Sequence, residues 1–286
     1  MRLEDERESG NIEDRRGSPL RRGVSVGKLS IWAVLLALVA AYFGIDPGLV
    51  LSLMKGGAQM AEETRVPANS GQAPVKDAES IFIGKVLGNT EDVWRQLFSG
   101  MRQTYREPKL VLFSGATPSA CGLGQGAMGP FYCPPDQKVY VDLRFFDDLQ
   151  RRFGASGDFA RAYVLAHEVG HHVQNLLGIA DQVRAAQQRS GEVQGNQLSV
   201  RLELQADCFA GVWANRAHEW RNILEPGDIE EGLRAAGAVG DDTLQRRTQG
   251  YVVPETFTHG TSAERSAWFR KGLQTGDLRQ CDTFAR

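Results

Sequence analysis

The most apolar stretch of the chain is residues 29–45, seventeen positions without a charge. As an α-helix at about 1.5 Å per residue, it reaches the lower limit for crossing a bilayer core. Acidic and basic side chains alternate in the residues before it, so we predict a disordered charged tail over 1–28 and a transmembrane anchor over 29–45. Residues 46–78 are rich in Gly, Pro and Gln and predict a flexible linker, which leaves one domain over 79–286.

Two other interpretations of the apolar run are a buried core helix and a cleaved signal peptide. The long charged lead and the lack of a clear small-x-small cleavage site favour an uncleaved anchor. The basic residues on its two sides are Arg15, Arg16, Arg21, Arg22 and Lys28 before it, and Lys55 and Arg65 after it. By the positive-inside rule we expect a single-pass protein of the cytoplasmic membrane, with its N-terminus in the cytoplasm and its domain periplasmic or extracellular.

Within the domain, apolar residues recur every three or four positions in long stretches, and short β-prone runs lie between them. The first pattern predicts helices and the second predicts strands. The predicted helices cover 90–105, 158–177, 198–218, 262–273 and a short stretch from Asp241 to Gln249, with Asp241 or Asp242 as its N-cap. We predict a strand over 110–113 and a hairpin formed by 131–132 and 139–143. The fold class is therefore α+β, mostly helical with a small sheet or hairpin, after one N-terminal transmembrane helix.

The strongest chemical pattern is an HExxH motif at residues 167–171, in the helix predicted over 158–177. Residues four apart lie on the same face of a helix, so His167 and His171 can offer imidazole nitrogens to one metal ion. Glu168 then lies beside the metal, where it can act as general base toward the attacking water. The motif alone also occurs by accident, in which case the two histidines are ordinary surface or core residues.

A third ligand is available in the helix predicted over 198–218, where Glu203 and Asp207 share a face. Two His and one Glu are a standard set for catalytic zinc, so we predict Glu203 as a ligand and one Zn²⁺ per chain. Asp207 can accept the outward N–H of a zinc-bound histidine and fix its tautomer. Such an acid pair is usually a solvated helix face, but this one follows the HExxH motif by 32 residues in an apolar context.

All four cysteines lie in the domain, and no two of them form a CxxC pair. This pattern suits two disulfides in an oxidising compartment better than a cysteine zinc site. Of the three possible pairings we favour Cys121 with Cys133, across a short loop, and Cys208 with Cys281, which ties the C-terminal tail to a helix. Buried free thiols are the alternative.

The sequence resembles the bacterial neutral zinc metallopeptidase family of membrane-anchored proteins, and its metal motifs resemble the wider glutamate-zincin group that includes thermolysin. The matching segments are Gly-Pro-Phe-Tyr-Cys-Pro at 129–134, Ala-His-Glu-Val-Gly-His-His-Val-Gln at 166–174, Glu-Leu-Gln-Ala-Asp-Cys at 203–208 and Phe-Thr-His-Gly-Thr-Ser at 257–262. They cover the domain nearly end to end. The resemblance implies a zincin-like fold and peptidase chemistry.

The last matching segment contains His259, which looks like the downstream histidine that donates a hydrogen bond to the oxyanion in related zincins. Arg265 is a possible assistant in the same role. The alternative is a loop histidine that caps the helix predicted over 262–273. His172 is turned about 100° away from His171 on a helix, so we do not expect it to be a ligand.

The formal net charge of −2 gives no reason to expect nucleic acid as a partner. We expect a peptide or protein substrate, and contact with the lipid bilayer through the N-terminal helix. The oligomeric state is not readable from the sequence. Two alternatives to an endopeptidase are an exported scaffold or chaperone-like peptide-binding module that holds zinc for stability, and an amidase acting on cell-wall peptides.

Overall fold

A computed structural model describes residues 1–17 and 76–285 of the chain. The α-helices in these ranges are α1 (Ala78–Gly100), α2 (Arg144–Phe153), α3 (Asp158–Leu176), α4 (Ile179–Gln187), α5 (Glu192–Arg221), α6 (Asp228–Ala238), α7 (Asp241–Gln249) and α8 (Ser262–Thr275). The strands are β1 (Ile12–Asp14), β2 (Lys109–Phe113), β3 (Ala116–Ser119), β4 (Gly122–Gln125), β5 (Phe131–Cys133) and β6 (Lys138–Asp142). An α+β fold, mostly helical with a small sheet, is therefore confirmed.

Four of the strands form one sheet in the order β1, β2, β6, β5. The first three strands are parallel, and β5 is antiparallel to β6, so the predicted hairpin is confirmed. Leu110, Val111 and Leu112 of β2 have no exposed surface, as expected for a central strand covered on both faces. β5 and β1 are the two edges of the sheet, and β3 pairs with β4 in a separate hairpin.

Two glycines allow the helices around the site to approach closely. A Cβ atom on Gly170 of α3 would lie 3.0 Å from the carbonyl oxygen of Ala206 in α5. A Cβ atom on Gly272 of α8 would lie 2.0 Å from the carbonyl oxygen of Cys208, also in α5. Because neither position carries a side chain, α3 and α8 both pack directly against the backbone of α5, next to Glu203 and Asp207.

The first helix of the domain begins earlier than predicted. α1 starts at Ala78 rather than near residue 90, because Asp77 and Ser80 form a capping box that satisfies the free backbone N–H groups of its first turn. Ser80, Gly84 and Gly88 interrupt the apolar pattern of this first half, which is why the sequence did not reveal it.

The prediction of a disordered tail is wrong for residues 1–17. This segment forms one folded unit with residues 76–285 and contributes β1 to the sheet. Several of its charges are paired with the domain: Arg7 binds Glu91 and Asp92, and Lys138 binds Glu13. Composition alone predicted disorder because these partners lie far away in the sequence.

The predicted anchor over 29–45 lies outside the described residues, as do residues 18–28 and all but the last three residues of the predicted linker. Among residues 1–17 and 76–285, no helix has both the length and the apolar character needed to cross a membrane.

Both favoured disulfides are present. Cys121 is bonded to Cys133, which joins the β3–β4 hairpin to the end of β5, and Cys208 of α5 is bonded to Cys281. The second bond closes a span of 73 residues and fixes the C-terminal tail against the helix that carries Glu203. No free cysteine remains in the described residues.

Candidate metal centre

The HExxH motif lies in the middle of α3, which begins at Asp158 as predicted and is followed by Gly178 in the left-handed conformation. His167 and Glu168 are buried in the protein, with only 6% and 8% of their surfaces exposed. α5 crosses α3 at Gly170 and brings Glu203 opposite the two histidines. The helical spacing of the motif and this crossing together place three candidate ligands side by side.

These three side chains converge at short distances. The Nε2 atom of His167 lies 3.1 Å from Oε2 of Glu203 and 3.2 Å from Nε2 of His171, and His171 Nε2 lies 3.3 Å from Oε1 of Glu203. One ligand atom from each residue lies within 4.8 Å of the others. Two imidazoles and a carboxylate are a donor set that zinc accepts in catalytic sites.

The outer nitrogens of both histidines are occupied. His167 donates its Nδ1–H to Asp207 Oδ1 at 2.8 Å, and His171 donates its Nδ1–H to Gln174 Oε1 at 2.9 Å. In the neutral rings this leaves both Nε2 lone pairs facing each other and the oxygens of Glu203. Electron-rich atoms at these distances repel each other unless a positive charge lies among them, so the set fits a cation.

The electrostatics favour the same conclusion. Burial lowers the pKa of His167, but the carboxylates of Asp207 and Glu203 outweigh it and raise that pKa to about 10. Burial raises the pKa of Glu203, but the two histidines hold it well below its ordinary range. The site therefore stabilises added positive charge, either as protons on the imidazoles or as a metal ion that replaces them.

Asp207 is the centre of a buried hydrogen-bond network behind the candidate ligands. Besides His167, it accepts a bond from the Tyr163 hydroxyl at 2.5 Å and two bonds from Arg265, at 2.8 Å from Nε and 3.0 Å from Nη2. Asp207 has no exposed surface and Arg265 only 3%. The network fixes the ring orientation of His167, which is the role predicted for Asp207. We expected Arg265 to assist at the oxyanion. Two of its N–H groups bind the carboxylate of Asp207.

His259 also pairs with a carboxylate, that of Asp241. Asp241 Oδ1 accepts from His259 Nδ1 at 3.2 Å, and Asp241 Oδ2 accepts the backbone N–H groups of Thr258, His259 and Gly260. The hydrogen bond to Asp241 raises the pKa of His259. The predicted N-cap role of the Asp241–Asp242 pair is wrong, since Gly240 occupies the cap of α7. The predicted capping role of His259 is also not seen, because Thr261 caps α8.

One cavity of about 470 Å³ joins these groups. His167, Glu168, His171, Glu203, His259 and Arg265 all line it. Its apolar wall consists of Phe131, Phe145, Phe153, Val164, Val239 and Leu244. The structure thus brings every predicted site residue into or directly behind one open pocket, with Asp207 behind it.

Several residues of the site were not found from the sequence. His172 is fully buried, and it accepts a hydrogen bond from Tyr132 Oη at Nδ1 and donates Nε2–H to the carbonyl of Arg106. Burial lowers the pKa of His172 to about 4, so the ring is neutral and attaches β5 to the motif helix. Gln174, three residues after His171, and Tyr163, four before His167, follow helical spacing and could have been found by it. No helical spacing links Asp241 to His259, because the two residues lie 18 positions apart.

Comparison with known proteins gives one family. The family model described as "Putative neutral zinc metallopeptidase" matches residues 1–284. The Escherichia coli K12 protein named "Uncharacterized protein YpfJ" is 47% identical over 293 residues, covering 100% of this chain and 99% of the relative. The Mycobacterium tuberculosis H37Rv protein named "Uncharacterized protein Rv2575" is 44% identical over 264 residues, covering 86% of this chain and 85% of the relative. No solved structure matches the chain.

Proposed function

The chain belongs to this neutral zinc metallopeptidase family, and from that premise we propose that it is a zinc-dependent endopeptidase. The observation that carries the proposal is the convergence of His167, His171 and Glu203 beside Glu168, in a cavity open to a substrate. A set buried without such a cavity would suit a purely structural metal. Here the ligands line the pocket wall, so a bound metal would face whatever enters it.

His167, His171 and Glu203 would hold one Zn²⁺, and Asp207 and Gln174 would keep the two imidazole rings oriented toward it. When bound, zinc supplies a Lewis acid that polarises a carbonyl group and lowers the pKa of water. Because His167 and His171 come from α3 and Glu203 from α5, the close helix crossing at Gly170 is part of what sets the geometry of the three ligands.

Glu168 would act as the general base. Among the described residues no group is hydrogen-bonded to its carboxylate, which lines the cavity next to both histidines. It would accept a proton from the attacking water as the oxygen bonds to the scissile carbonyl carbon, and pass that proton to the amine as the C–N bond breaks. The products are a carboxylic acid and an amine, which become a carboxylate and an ammonium group once the acid proton moves to the amine, so atoms and charge balance.

His259 would donate a hydrogen bond to the oxyanion that forms on the carbonyl oxygen. Its Nδ1 is bound to Asp241, and the ring lines the cavity, which leaves Nε2 available for a substrate. The pKa raised by Asp241 favours the doubly protonated ring, in which both nitrogens are donors.

The shape of the site supports a peptide substrate. β5 is an edge of the sheet, and its residues Phe131 and Tyr132 line the same cavity as Glu168. An extended peptide can add to such an edge through main-chain hydrogen bonds. The apolar wall of the cavity, which includes Phe145 and Leu244, would accept an apolar side chain of that peptide. The two disulfides support an oxidising compartment for the domain.

The test is Glu168→Gln in the zinc-loaded protein, assayed on a library of peptides, with the exposed Glu230→Gln as control. We expect Glu168→Gln to keep one zinc per chain and to lower kcat by about 10²–10⁴-fold, whereas Glu230→Gln cleaves at the wild-type rate. Wild-type cleavage should also stop on chelation. Peptide cleavage by Glu168→Gln at the wild-type rate would overturn the assignment.

The same assay separates the alternatives. Binding of peptides without cleavage by the wild-type protein would indicate a peptide-binding module that holds zinc for stability. Cleavage of cell-wall peptides but not of protein-derived peptides would indicate an amidase with the same residue roles.

A further inference from the structure

The N-terminal segment, residues 1–17, is part of the folded domain through its backbone. β1 pairs with the buried strand β2 from Ile12 to Asp14. On either side of this pairing, the backbone N–H of Leu110 donates to the carbonyl of Asn11 at 2.9 Å, and the N–H of Arg15 donates to the carbonyl of Leu112 at 2.7 Å. Removing the segment would leave these groups of a central strand without partners.

α1 contacts the same N-terminal segment at Glu91 and at Gly88. Glu91 has 1% of its surface exposed, and its carboxylate accepts hydrogen bonds from Arg7 at 2.7 Å, Ser9 at 2.5 Å and Asn11 at 2.8 Å. All three donors lie in the N-terminal segment. A Cβ atom on Gly88 would lie 2.5 Å from the carbonyl oxygen of Arg7, so the helix has no side chain where the segment crosses it. A buried carboxylate without these donors would be costly.

The two ends of the intervening chain are also held together. Arg16, near the end of the segment, binds Asp77 at 2.6 Å, and Lys76 binds Glu8 at 2.5 Å. Residues 18–75 therefore begin and end at neighbouring points on one folded unit.

We infer that the N-terminal segment lies on the same side of any membrane as the metal site. A stretch of chain that crosses a bilayer an odd number of times places its two ends in different compartments. Residues 1–17 and 76–285 form one folded unit, so they lie in one compartment. The expected arrangement, with a cytoplasmic tail and an exported domain joined by a single crossing, is incompatible with the contacts of Arg7, Ser9 and Asn11.

The inference can be tested with two matched cysteine variants of the full-length chain. Gly10 in the N-terminal segment and Gly100 at the end of α1 are both exposed, and neither has an atom within 4 Å of an added Cβ. The four native cysteines are disulfide-bonded, so Gly10→Cys and Gly100→Cys each introduce the single free thiol of the described residues. Spheroplasts expressing each variant are treated with a membrane-impermeant maleimide before and after lysis, and a cytoplasmic protein serves as marker of intact membranes.

We expect the two variants to behave alike. Labelling of both before lysis places the segment and the domain outside together, and labelling of both only after lysis places them inside together; either result supports the inference. If one variant is labelled before lysis and the other only after it, the two parts occupy different compartments and the inference is overturned. Gly191→Cys, also exposed with open space around it, is a second domain position should Gly100→Cys not fold. Neither result depends on peptidase activity, so the proposed function can fail separately.

Discussion

Two imidazole–carboxylate pairs each present a histidine to the cavity, and the two pairs differ in how exposed that histidine is. In the pair of His167 and Asp207, the side chains are 8% and 0% exposed, and Tyr163 and Arg265 bind the same carboxylate. In the pair of His259 and Asp241, the histidine side chain is 49% exposed. The first environment suits a histidine that must hold an ion in one geometry. The second suits a histidine that donates a hydrogen bond to a group whose charge changes during a reaction.

The largest effect is expected from removing the buried carboxylate. Asp207→Ala leaves Arg265 buried without its partner, and we expect a loss of about 3–5 kcal/mol in the free energy of unfolding. Zinc affinity should fall about 10–100-fold, because the orientation of His167 is no longer fixed. Urea unfolding and competition with a zinc chelator measure the two effects. If Asp207→Ala is as stable and binds zinc as tightly as Asp241→Ala, the proposed difference between the pairs does not exist.

The second pair, His259 with Asp241, should matter for turnover and not for the metal. His259→Ala is expected to lower kcat by about 10²–10³-fold, the usual effect of losing one oxyanion donor, while zinc content stays at the wild-type level. His218→Ala, at an exposed position near the end of α5, is the control and should have wild-type kcat. An unchanged kcat in His259→Ala would show that this histidine is only a loop residue.

A smaller loss of stability is expected at the crossing of α3 and α5, the two helices that carry His167 and Asp207. Gly170→Ala adds a methyl group 3.0 Å from the carbonyl of Ala206, and should cost about 1–3 kcal/mol in the free energy of unfolding as α3 and α5 separate. Gly195→Ala, in α5 with no atom near its added Cβ, should instead stabilise by roughly 0.5–1 kcal/mol. Equal stability changes in the two variants, measured by urea unfolding, would mean that the helix crossing tolerates the extra atom.

The smallest effect is expected from Asp241→Asn, which keeps the shape of the side chain and removes its charge. We expect kcat/KM to fall about 10-fold, as for loss of one charged hydrogen bond of about 1.5 kcal/mol. Asp241 raises the pKa of His259, so activity that needs the protonated ring persists at neutral pH and is lost as pH rises through that raised pKa. In Asp241→Asn the pKa falls, and the alkaline loss of kcat/KM should move to lower pH. An alkaline limb at the wild-type pH would contradict the role of the pair.

The sequence identified both members of the His167–Asp207 pair as site residues. Of the second pair it identified only His259. His167 and His171 follow one helical repeat, and Glu203 and Asp207 follow another, so local spacing identified their shared faces. Asp241 and His259 lie in different elements, and only tertiary packing brings them together. The same holds for Arg7 and Glu91, 84 residues apart, whose contact makes an apparently disordered charged segment part of the sheet.

The most direct test of the account is the position of zinc in the zinc-loaded protein, determined by anomalous scattering at the zinc edge. We predict one zinc peak per chain, bonded to Nε2 of His167, Nε2 of His171 and the carboxylate of Glu203, with Asp207 hydrogen-bonded to the outer nitrogen of His167. A zinc peak elsewhere, or protein that binds no zinc while His167, His171 and Glu203 are intact, would contradict it.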